Sequence, residues 1–376
     1  MTREQSDETE DVLDVLDLPP LYLRPPLSTL LTTLDLLAVP PPSWDLPSTA
    51  SAPNSPCAPT IHIRGNPAPW LTSLVSSSLR WLADDTAREM VWETASMRLA
   101  ERCGRTAMPA IDRSFQVADG VAVKIHEPTL DGDNLGLKTW GAAYALAKRM
   151  AGDEGMRSVI RGCLYPQSSS LVYRCGTDDD IDGTDASARV LELGAGTGLA
   201  GLAVATTVAA AAHIHLTDLP EILPNLVRNV ALNAAAIPPS VSVSTGILDW
   251  RVHTSPAAIE DAAGHSHSRK EQRQKYPLII AADPIYSAEH PSLLATVVAG
   301  WLERTGTARF IVELPLRKLF GREVEDFRRR MHDAGLVIVD SGEESARDDW
   351  GDGGEAMDCW WGVYAWGHVA DGPMSP

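Results

Sequence analysis

A glycine-rich segment near the middle of the chain has the residue types and spacing most suggestive of chemistry. Residues 190–201 read VLELGAGTGLAG, a short apolar run that leads into closely spaced glycines and then into a helix-forming stretch. Glycine allows a tight turn and a close approach of the backbone to a ligand, and the first turn of a helix presents free N–H groups. The segment therefore predicts a strand–turn–helix unit that holds a ligand at its turn.

The glycines can be aligned in two registers, and each register implies a different cofactor. Residues 196–201 match G-x-G-x-x-G, the pattern of dinucleotide-binding proteins, and Asp218 lies 20 residues beyond Gly198. Residues 192–198 match E-x-G-x-G-x-G, the pattern of a loop that binds S-adenosylmethionine. A plain strand–helix turn with close packing is the third interpretation, because short glycine patterns are weak signals.

The position of Glu192 favours the second register. In the dinucleotide register this residue would lie four positions before the first glycine, inside a buried strand, where an unpaired carboxylate is costly. In the other register the strand ends at Gly194, so Glu192 lies near its end and can face the cationic methionine part of the cofactor. Asp218, at the end of the next predicted strand, can accept hydrogen bonds from both ribose hydroxyls in either register.

Polar and aromatic residues also follow two later predicted strands. Ligands of an open parallel sheet collect at the carboxyl ends of its strands. Trp250 is a candidate to stack on adenine, with Asp249 near the adenine amino group, and a core position for Trp250 is an equally weighted alternative. Asp283 and Tyr286 are expected to point toward the sulfonium, because the intervening proline forces a turn that projects the carboxylate out of the strand. Capping of the next helix is the alternative for Asp283.

Alternating strands and helices after residue 137 predict the sheet that brings these residues together. The predicted strands cover residues 189–193, 213–216, 241–247, 278–282, 309–314, 336–339 and 360–366, and the predicted helices cover residues 140–150, 199–208, 222–233, 293–302 and 323–334. This alternation is typical of a parallel sheet covered on both faces. The last two strands have no helix between them, which predicts an antiparallel hairpin at one edge. The fold class is therefore α/β, a Rossmann-like sheet of seven strands.

The chain divides into three predicted parts. Residues 1–60 hold 11 of the 27 prolines and are expected to be a largely disordered or loosely docked tail, with a helical turn near 27–37. Residues 61–136 predict one or two amphipathic helices between 70 and 102 and a β-hairpin at 114–125, where an Asp-Gly pair separates alternating apolar residues. Residues 137–370 form the sheet domain, with polar surface loops expected at 166–188 and 260–274.

The charge balance limits the classes of partner. With 32 basic and 50 acidic residues the formal net charge is −18, which disfavours binding to nucleic acid or to an anionic membrane but suits a lysine-bearing protein surface. The five cysteines form no C-x-x-C pair and the start shows no signal peptide, so an intracellular, reducing compartment is expected. His265 and His267 lack further ligands nearby, so no metal site is predicted.

Taken together, these motifs resemble a known enzyme family. The glycine loop, Asp218, the pair at 249–250, the segment DPIY at 283–286 and the upstream segment KTWGAA at 138–143 are similar to the seven-β-strand protein-lysine methyltransferases that modify calmodulin, Hsp70-type chaperones and translation factors. The resemblance covers residues 113–368. The segments WLTSL at 70–74 and RCGRTAMP at 102–109 further resemble the fungal branch that methylates elongation factor 2.

The resemblance implies roles for individual residues. The cofactor would be S-adenosylmethionine, and the residues expected to line its site are Trp140, Glu192, Gly194, Ala195, Gly196, Asp218, Asp249, Trp250 and Ala282. Asp283 would hold and orient the amine of a target lysine, and Tyr286 would shape the channel. The expected protein acts as a monomer on a protein substrate, in the cytoplasm or the nucleus. An NAD-type oxidoreductase and a catalytically inactive methyltransferase fold that serves as a binding module are the alternatives.

Overall fold

The computed structural model describes residues 12–39, 44, 62–103, 107–130, 134–165, 188–208, 210–252, 254, 260–261, 275–347 and 356–367. The chain divides into two compact units, which are described separately below. The first comprises Met1–Pro109 with Asp349–Gly354, and the second comprises Ala110–Asp348 with Glu355–Pro376. The predicted division had placed its boundaries at residues 60 and 136 instead.

The first unit is built on three helices, α1 (Leu27–Leu36), α2 (Ala68–Ser76) and α3 (Asp85–Ala100), with a short parallel pair of strands, β1 (Val12–Asp14) and β2 (His62–Arg64). The helical turn predicted near residue 27 and the helices predicted within 70–102 are present. Residues 12–39 are folded, which differs from the loosely docked tail expected there. The physical reason is a leucine-rich cluster in which Leu30, Leu34 and Leu37 are fully buried.

Tryptophans also anchor the proline-rich start of the first unit. The indole N–H of Trp70 donates a hydrogen bond to the carbonyl of Pro19 (2.9 Å), and that of Trp81 donates to the carbonyl of Pro25 (2.9 Å). A proline lacks an N–H donor but keeps its carbonyl acceptor. Side-chain donors therefore satisfy a segment that cannot form a regular backbone ladder.

The second unit begins with the predicted β-hairpin. Strand β3 (Ile111–Ala118) pairs antiparallel with β4 (Val121–Glu127), and Gly120 in the turn has φ +71°. An Asp-Gly turn with positive φ matches the twist of the two strands. The hairpin belongs to the same compact unit as the large sheet and not to a separate N-terminal segment.

The large sheet contains the seven predicted strands and one short addition. Its strands are β5 (Ala188–Leu193), β6 (Ala212–Asp218), β7 (Val241–Ile247), β8 (Glu260–Asp261), β9 (Leu278–Ala282), β10 (Arg309–Pro315), β11 (Leu336–Arg347) and β12 (Ala356–Trp366), in the order β11-β12-β10-β9-β5-β6-β7-β8. Strands β5, β6, β7, β9 and β10 run parallel to one another. Strands β11 and β12 form the predicted antiparallel hairpin, and β12 pairs antiparallel with β10. The two-residue strand β8 pairs antiparallel with β7, inside the segment predicted as a loop.

Among the described residues of this unit, six α-helices accompany the sheet: α4 (Gly141–Gly152), α5 (Glu154–Leu164), α6 (Leu199–Thr207), α7 (Leu223–Asn233), α8 (His290–Trp301) and α9 (Gly321–Asp333). Five of them were predicted, and α5 was missed. Strand β5 lies between β6 and β9, so the order of the strands reverses there. In open α/β sheets a crevice forms at the carboxyl ends of the strands beside such a reversal, and it is the usual ligand site.

Candidate active site

A cavity of about 330 Å³ lies at the carboxyl ends of β5, β6, β7 and β9. Its size falls within the range usual for small-molecule and cofactor sites. All the residues predicted for the site contribute to its lining: Trp140, Glu192, Gly194, Ala195, Gly196, Asp218, Asp249, Trp250, Ala282, Asp283 and Tyr286. The structure therefore brings together side chains that are up to 146 positions apart in the sequence.

The glycine loop has a backbone that ordinary residues rarely adopt. Gly194 has φ +64° and Gly196 has φ +56°. A Cβ atom at Gly194 would lie 3.3 Å from the ring of Trp250, and one at Gly196 would lie 3.1 Å from the carbonyl oxygen of Gly136. Both the left-handed conformation and the close packing require glycine here. The loop thus keeps its backbone close to the cavity.

Glu192 is bound to the helix that follows the loop. Its Oε2 accepts a hydrogen bond from the backbone N–H of Gly201 (3.0 Å), and a Cβ atom at Gly201 would overlap this carboxyl and Leu216. Burial, reinforced by the charge of Asp218, raises the pKa of Glu192 to about 8. Close helix–strand packing therefore explains the third glycine of the dinucleotide pattern without a dinucleotide.

Asp218 is bound to the glycine loop itself. Its Oδ2 accepts from the backbone N–H of Gly196 (2.6 Å) and its Oδ1 from that of Leu219 (2.7 Å). Burial raises the pKa of this carboxyl to about 6. In a dinucleotide-binding loop the glycine N–H groups face the anionic pyrophosphate. Here a carboxylate already lies at one of them and would repel a phosphate, so the geometry disfavours the dinucleotide register.

These residues fit S-adenosylmethionine. Two carboxyl groups that burial makes reluctant to ionise would each be stabilised by a bound cation, and the sulfonium is such a cation. The rings of Trp140 and Trp250 supply apolar walls to the same cavity. The ring of Trp250 packs edge-on to His290 with the ring centres 5.9 Å apart. Asp249 forms an ion pair with Arg251 (2.7 Å), and its contact with adenine stays a prediction.

Asp283 lies in a strained turn directly after β9. It has φ +49°, and its N–H donates to the carbonyl of Glu313 (2.9 Å), which keeps it tied to the neighbouring strand. Its carboxylate, 6% exposed, accepts two hydrogen bonds from Arg317, at 3.2 and 2.6 Å, instead of capping the next helix. A non-glycine residue held at positive φ is strained, and such strain concentrates at functional sites.

Tyr286 lies at the mouth of the cavity and is 52% exposed. Its ring packs edge-on against the ring of His290 with centres 4.3 Å apart. Burial of the phenol oxygen, with the charges of Asp218 and Asp283, raises the pKa of Tyr286. The phenol therefore stays protonated at neutral pH and can donate a hydrogen bond to an acceptor that enters the cavity.

Sequence reasoning missed six charged or titratable residues of the cavity lining: Lys138, Glu221, Arg251, Glu289, His290 and Arg317. Arg317 follows β10, the last parallel strand of the sheet. The rule that strand ends carry ligands was applied to the strands up to β9 and not to this one. Applied once more, it would have found Arg317. Lys138 and His290 precede or begin helices, where nothing in their spacing sets them apart from ordinary residues.

The hairpin and α7 support the glycine loop from outside the cavity. Asn229, fully buried on α7, accepts from the N–H of His126 (2.8 Å) and donates to the carbonyls of His126 (3.2 Å) and Thr197 (2.9 Å). The hydroxyls of Thr197 and Thr139 are hydrogen-bonded (3.0 Å), and Glu127 accepts from the N–H of Thr139 (2.9 Å). Strand β4, α7 and the segment before α4 are thus tied to one loop residue.

Comparison with known proteins identifies the family. A family model described as a lysine methyltransferase matches residues 118–318. The chain is 33% identical over 276 residues to the protein-lysine N-methyltransferase EFM2 of Saccharomyces cerevisiae, an alignment that covers 72% of this chain and 58% of that protein. The chain belongs to this lysine methyltransferase family. The lysine methyltransferase resemblance inferred from the motifs is therefore confirmed.

Two further relatives extend the likeness within the lysine methyltransferases. The protein-lysine N-methyltransferase rrg1 of Schizosaccharomyces pombe is 29% identical over 341 residues, which cover 90% of this chain and 94% of that protein. The calmodulin-lysine N-methyltransferase of Arabidopsis thaliana is 25% identical over 177 residues, which cover 47% of this chain and 51% of that protein. The cofactor of this methyltransferase family is S-adenosylmethionine, as predicted.

Two other features of the predicted lysine methyltransferase can be compared with the structure. Across the described ranges, no helix is both long and apolar enough to cross a membrane. Within the same ranges no group of three or more His, Cys, Asp or Glu residues is placed to hold a metal ion. His265 and His267 lie outside the described residues.

Proposed function

We propose that this protein is an S-adenosylmethionine-dependent protein-lysine N-methyltransferase that acts on translation elongation factor 2. The observation that carries the proposal is a single cavity that joins the glycine loop and Asp218 on one side to Asp283 and Tyr286 on the other. The first pair of features suits the cofactor, and the second suits an amine. Alignment of donor and acceptor by such a site can supply about 7–11 kcal/mol of the barrier.

Each side of the cavity has a distinct task in this mechanism. When bound, the cofactor supplies a methyl group on a positively charged sulfur, and the electron pair of the broken S–C bond stays on that sulfur. Glu192 and Asp218 hold the cationic nucleoside through charge and hydrogen bonds. Asp283 accepts a hydrogen bond from the acceptor amine and orients its lone pair. The amine loses one proton to solvent before it reacts, because an ammonium has no lone pair.

Several observations support a protein substrate and, more finely, an elongation factor. The acidic chain, with its net charge of −18, suits a lysine-bearing surface. The relatives include two fungal protein-lysine N-methyltransferases, and a protein of Xenopus tropicalis, 27% identical over 138 residues, is named EEF1A lysine methyltransferase 3. The segments at 70–74 and 102–109 favour elongation factor 2 among the translation factors. A cytoplasmic location and a monomeric active form complete the proposal.

The test uses the full chain with recombinant elongation factor 2 made in bacteria, and S-adenosylmethionine labelled in its methyl group. We expect label on a lysine of that factor, located by mass spectrometry, and none on elongation factor 1A or calmodulin offered in parallel. Asp283→Asn should reduce labelling at least about 100-fold while the affinity for S-adenosylhomocysteine changes little. Asn is chosen because it tolerates positive φ better than Ala.

An exposed aspartate outside the cavity supplies the control. Asp119 lies in the hairpin turn and does not line the cavity, so Asp119→Asn should label at the wild-type rate. Label on calmodulin or elongation factor 1A but not on elongation factor 2 would refute the proposed substrate. Cofactor binding without label on any of the three proteins would refute the proposed activity toward this group of acceptors.

A further inference from the structure

The carboxylate at the acceptor side of the cavity is not alone. Arg317 forms a bidentate ion pair with the Asp283 carboxylate. Its Nη1 donates to Oδ1 of Asp283 at 3.2 Å and its Nη2 donates to Oδ2 at 2.6 Å. The same guanidinium lies over the ring of Trp140, 5.1 Å from its centre. The Arg317 side chain is 27% exposed and that of Asp283 is 6% exposed, so the pair is largely shielded from water.

This geometry leaves room for an acceptor. An ionised carboxylate has about four lone-pair sites, and the guanidinium occupies one on each oxygen. The planar fork of Arg fixes the plane of the carboxylate, which a single point contact would not do. The fork therefore holds the Asp283 carboxylate in a fixed plane, and a carboxylate oxygen that accepts one hydrogen bond from Arg317 has the capacity to accept another from an amine.

The pairing also changes which protonation state of the acceptor is favoured. A lone carboxylate beside a lysine stabilises the ammonium form and raises the pKa of that lysine. An ammonium has no lone pair and cannot accept a methyl group. Because the guanidinium cancels the charge of Asp283, the pair holds an amine by hydrogen bonding without favouring its protonation.

Other ionisable groups surround this pair on the neighbouring elements. Those that line the cavity with it, or interact electrostatically with it or its neighbours, are Lys138, Glu192, Asp218, Glu221, Asp249, Arg251, Tyr286, Glu289, His290, Glu313, Glu344 and Cys359. Burial and Glu344 raise the pKa of Glu313 to about 9, and burial raises that of Cys359, so these two groups are neutral at pH 7. Glu344 forms its own ion pair with Arg149 (2.6 Å). Arg317 is thus in direct contact with Asp283, and the neutral Glu313 and Cys359 add no charge beside the pair.

We propose that Arg317 is a positioning residue for the acceptor, which fixes the Asp283 carboxylate and cancels its charge so that the target lysine enters as a neutral amine. This inference rests on the proposed function, since it names how the acceptor side of the same site works. It assigns no bond-making step to Arg317. The expected consequence is a dependence of the reaction on pH that changes when the charge of Arg317 is removed.

The first test is the pH profile of kcat/KM with elongation factor 2 as acceptor, between about pH 6 and pH 10. For Arg317→Met we expect the midpoint of the acid limb to move up by about one pH unit, because Asp283 then favours the ammonium. The loss of rate should be about 10-fold or more at pH 7 and should shrink toward pH 10. Arg317→Lys keeps the charge without the fork, so its midpoint should return to the wild-type value while kcat stays lower. An equal loss at every pH would overturn the inference.

The second test does not depend on turnover. Thermal melting of the wild type, Asp283→Asn, Arg317→Met and the double variant forms a double-mutant cycle, and we expect the double variant to lose less melting temperature than the two single losses added together. Additive losses would refute the ion pair on which the inference stands. Calorimetry with S-adenosylhomocysteine should give affinities within about threefold of the wild type, and Arg317→Gln replaces the Met variant if that one fails to bind.

The activity of the enzyme and the role of Arg317 are tested by separate outcomes. If the wild-type protein labels none of the acceptor proteins, the proposed function fails, and the melting cycle still reports whether the ion pair exists. If the wild-type protein labels elongation factor 2 but Arg317→Met shows no shift of the acid limb, only the role given to Arg317 is wrong.

Discussion

At the scale of residues, the site combines buried carboxyl groups with backbone donors. Glu192 and Asp218 lie at the ends of adjacent strands and are each held by an N–H of the glycine loop or of the helix after it. Without a bound cation, the burial of these carboxyl groups has to be offset by these hydrogen bonds and by protonation. The same two groups become a cation site once a positive charge enters. Glu192 and Asp218 therefore favour a positively charged ligand over a neutral one.

This selection can be measured by comparing the charged cofactor with its neutral product. The pKa of Glu192 is about 8 and that of Asp218 about 6, so both carboxyls ionise as the pH rises through these values. We expect the ratio of the affinities for S-adenosylmethionine and S-adenosylhomocysteine to increase about three- to tenfold between about pH 6 and pH 9. Calorimetry at several pH values gives both constants. Glu192→Gln should flatten the upper part of the rise, and a flat ratio in the wild type would contradict the assigned charge.

Alanine substitutions at two glycines test whether cofactor binding requires the left-handed backbone of the glycine loop. Gly196→Ala places a Cβ at φ +56° and 3.1 Å from the carbonyl oxygen of Gly136, so we expect about 1–2 kcal/mol less stability and at least about tenfold weaker binding of S-adenosylhomocysteine. Gly162→Ala lies in α5, where the added Cβ meets no atom within 4 Å. That control should gain about 0.5–1 kcal/mol of stability with unchanged binding. Equal effects of the two substitutions would show that the loop conformation is not required.

At the scale of elements, the hairpin supports the cofactor loop as well as packing on the helices. Three asparagines at intervals of four residues on α7, Asn225, Asn229 and Asn233, hydrogen-bond the backbone of β4 at His126 and Lys124. This spacing places them on one face of the helix. This face of α7 therefore hydrogen-bonds the backbone of β4, and Asn229 in its middle also donates to the carbonyl of Thr197 in the glycine loop.

Removal of the middle asparagine should separate this support from ordinary packing. Asn229→Ala leaves buried backbone groups of His126 and Thr197 without this partner, and each such group costs about 1–3 kcal/mol. We expect at least about 2 kcal/mol less stability in urea unfolding and several-fold weaker binding of S-adenosylhomocysteine. Arg228→Ala, one position earlier on the exposed face, should change stability by no more than about 0.5 kcal/mol. Unchanged cofactor binding in Asn229→Ala would mean that the hairpin does not position the loop.

The elements that the sequence predicted are those with a strong apolar signal. Strands β7 and β9 have the predicted bounds because prolines come shortly before them and an aspartate comes shortly after each; β7 alternates valine with serine, and β9 is an apolar run. Helix α5 was missed because two glycines, Gly155 and Gly162, hide an apolar face that begins at Met156. Strand β11 continues to Arg347 through polar residues, since backbone pairing with β12 stabilises this edge strand without an apolar pattern.

In the site, too, residues with a local sequence signal were predicted and those that depend on tertiary packing were not. The predicted lining residues share a motif or a strand end, and both are visible in a sequence. The pairing of Asp283 with Arg317 spans 34 residues, and the choice of partner depends on which strands are neighbours in the sheet. Strand order is set by packing across the whole unit, so no local pattern predicts this ion pair.

At the scale of the whole molecule, the acidic composition and the buried carboxyl groups act on stability in the same direction. A formal charge of −18 disfavours the compact state through self-repulsion, and each further ionisation inside the fold adds to that effect. Glu192 and Glu313 are buried, Asp218 is partly buried, and the pKa of each of the three carboxyl groups is raised. Bound cofactor offsets the first two charges. Glu313 lies outside the cavity lining, so its effect on stability persists in the cofactor-bound protein.

Glu313 therefore provides a prediction about pH and unfolding. It is fully buried on β10, 3.8 Å from Arg149, which lies closer to Glu344 (2.6 Å), and burial raises the pKa of Glu313 to about 9. The folded state retains a proton that the unfolded state releases above about pH 4.5, so stability falls as pH rises through this window, by at most about 1.4 kcal/mol per pH unit. Glu313→Gln should match the wild type near about pH 5 and exceed it by about 1–2 kcal/mol near pH 8.

Urea unfolding at a series of pH values, followed by circular dichroism, measures this difference. Glu343→Gln, exposed on the edge strand β11, is the matched control and should keep the wild-type slope. If Glu313→Gln were less stable than the wild type at pH 8, Glu313 would be ionised in the fold and paired with Arg149. In that case Arg149 would pair with the carboxylates of both Glu313 and Glu344. Glu313 would then be a charged group near the Asp283–Arg317 pair and not a neutral one.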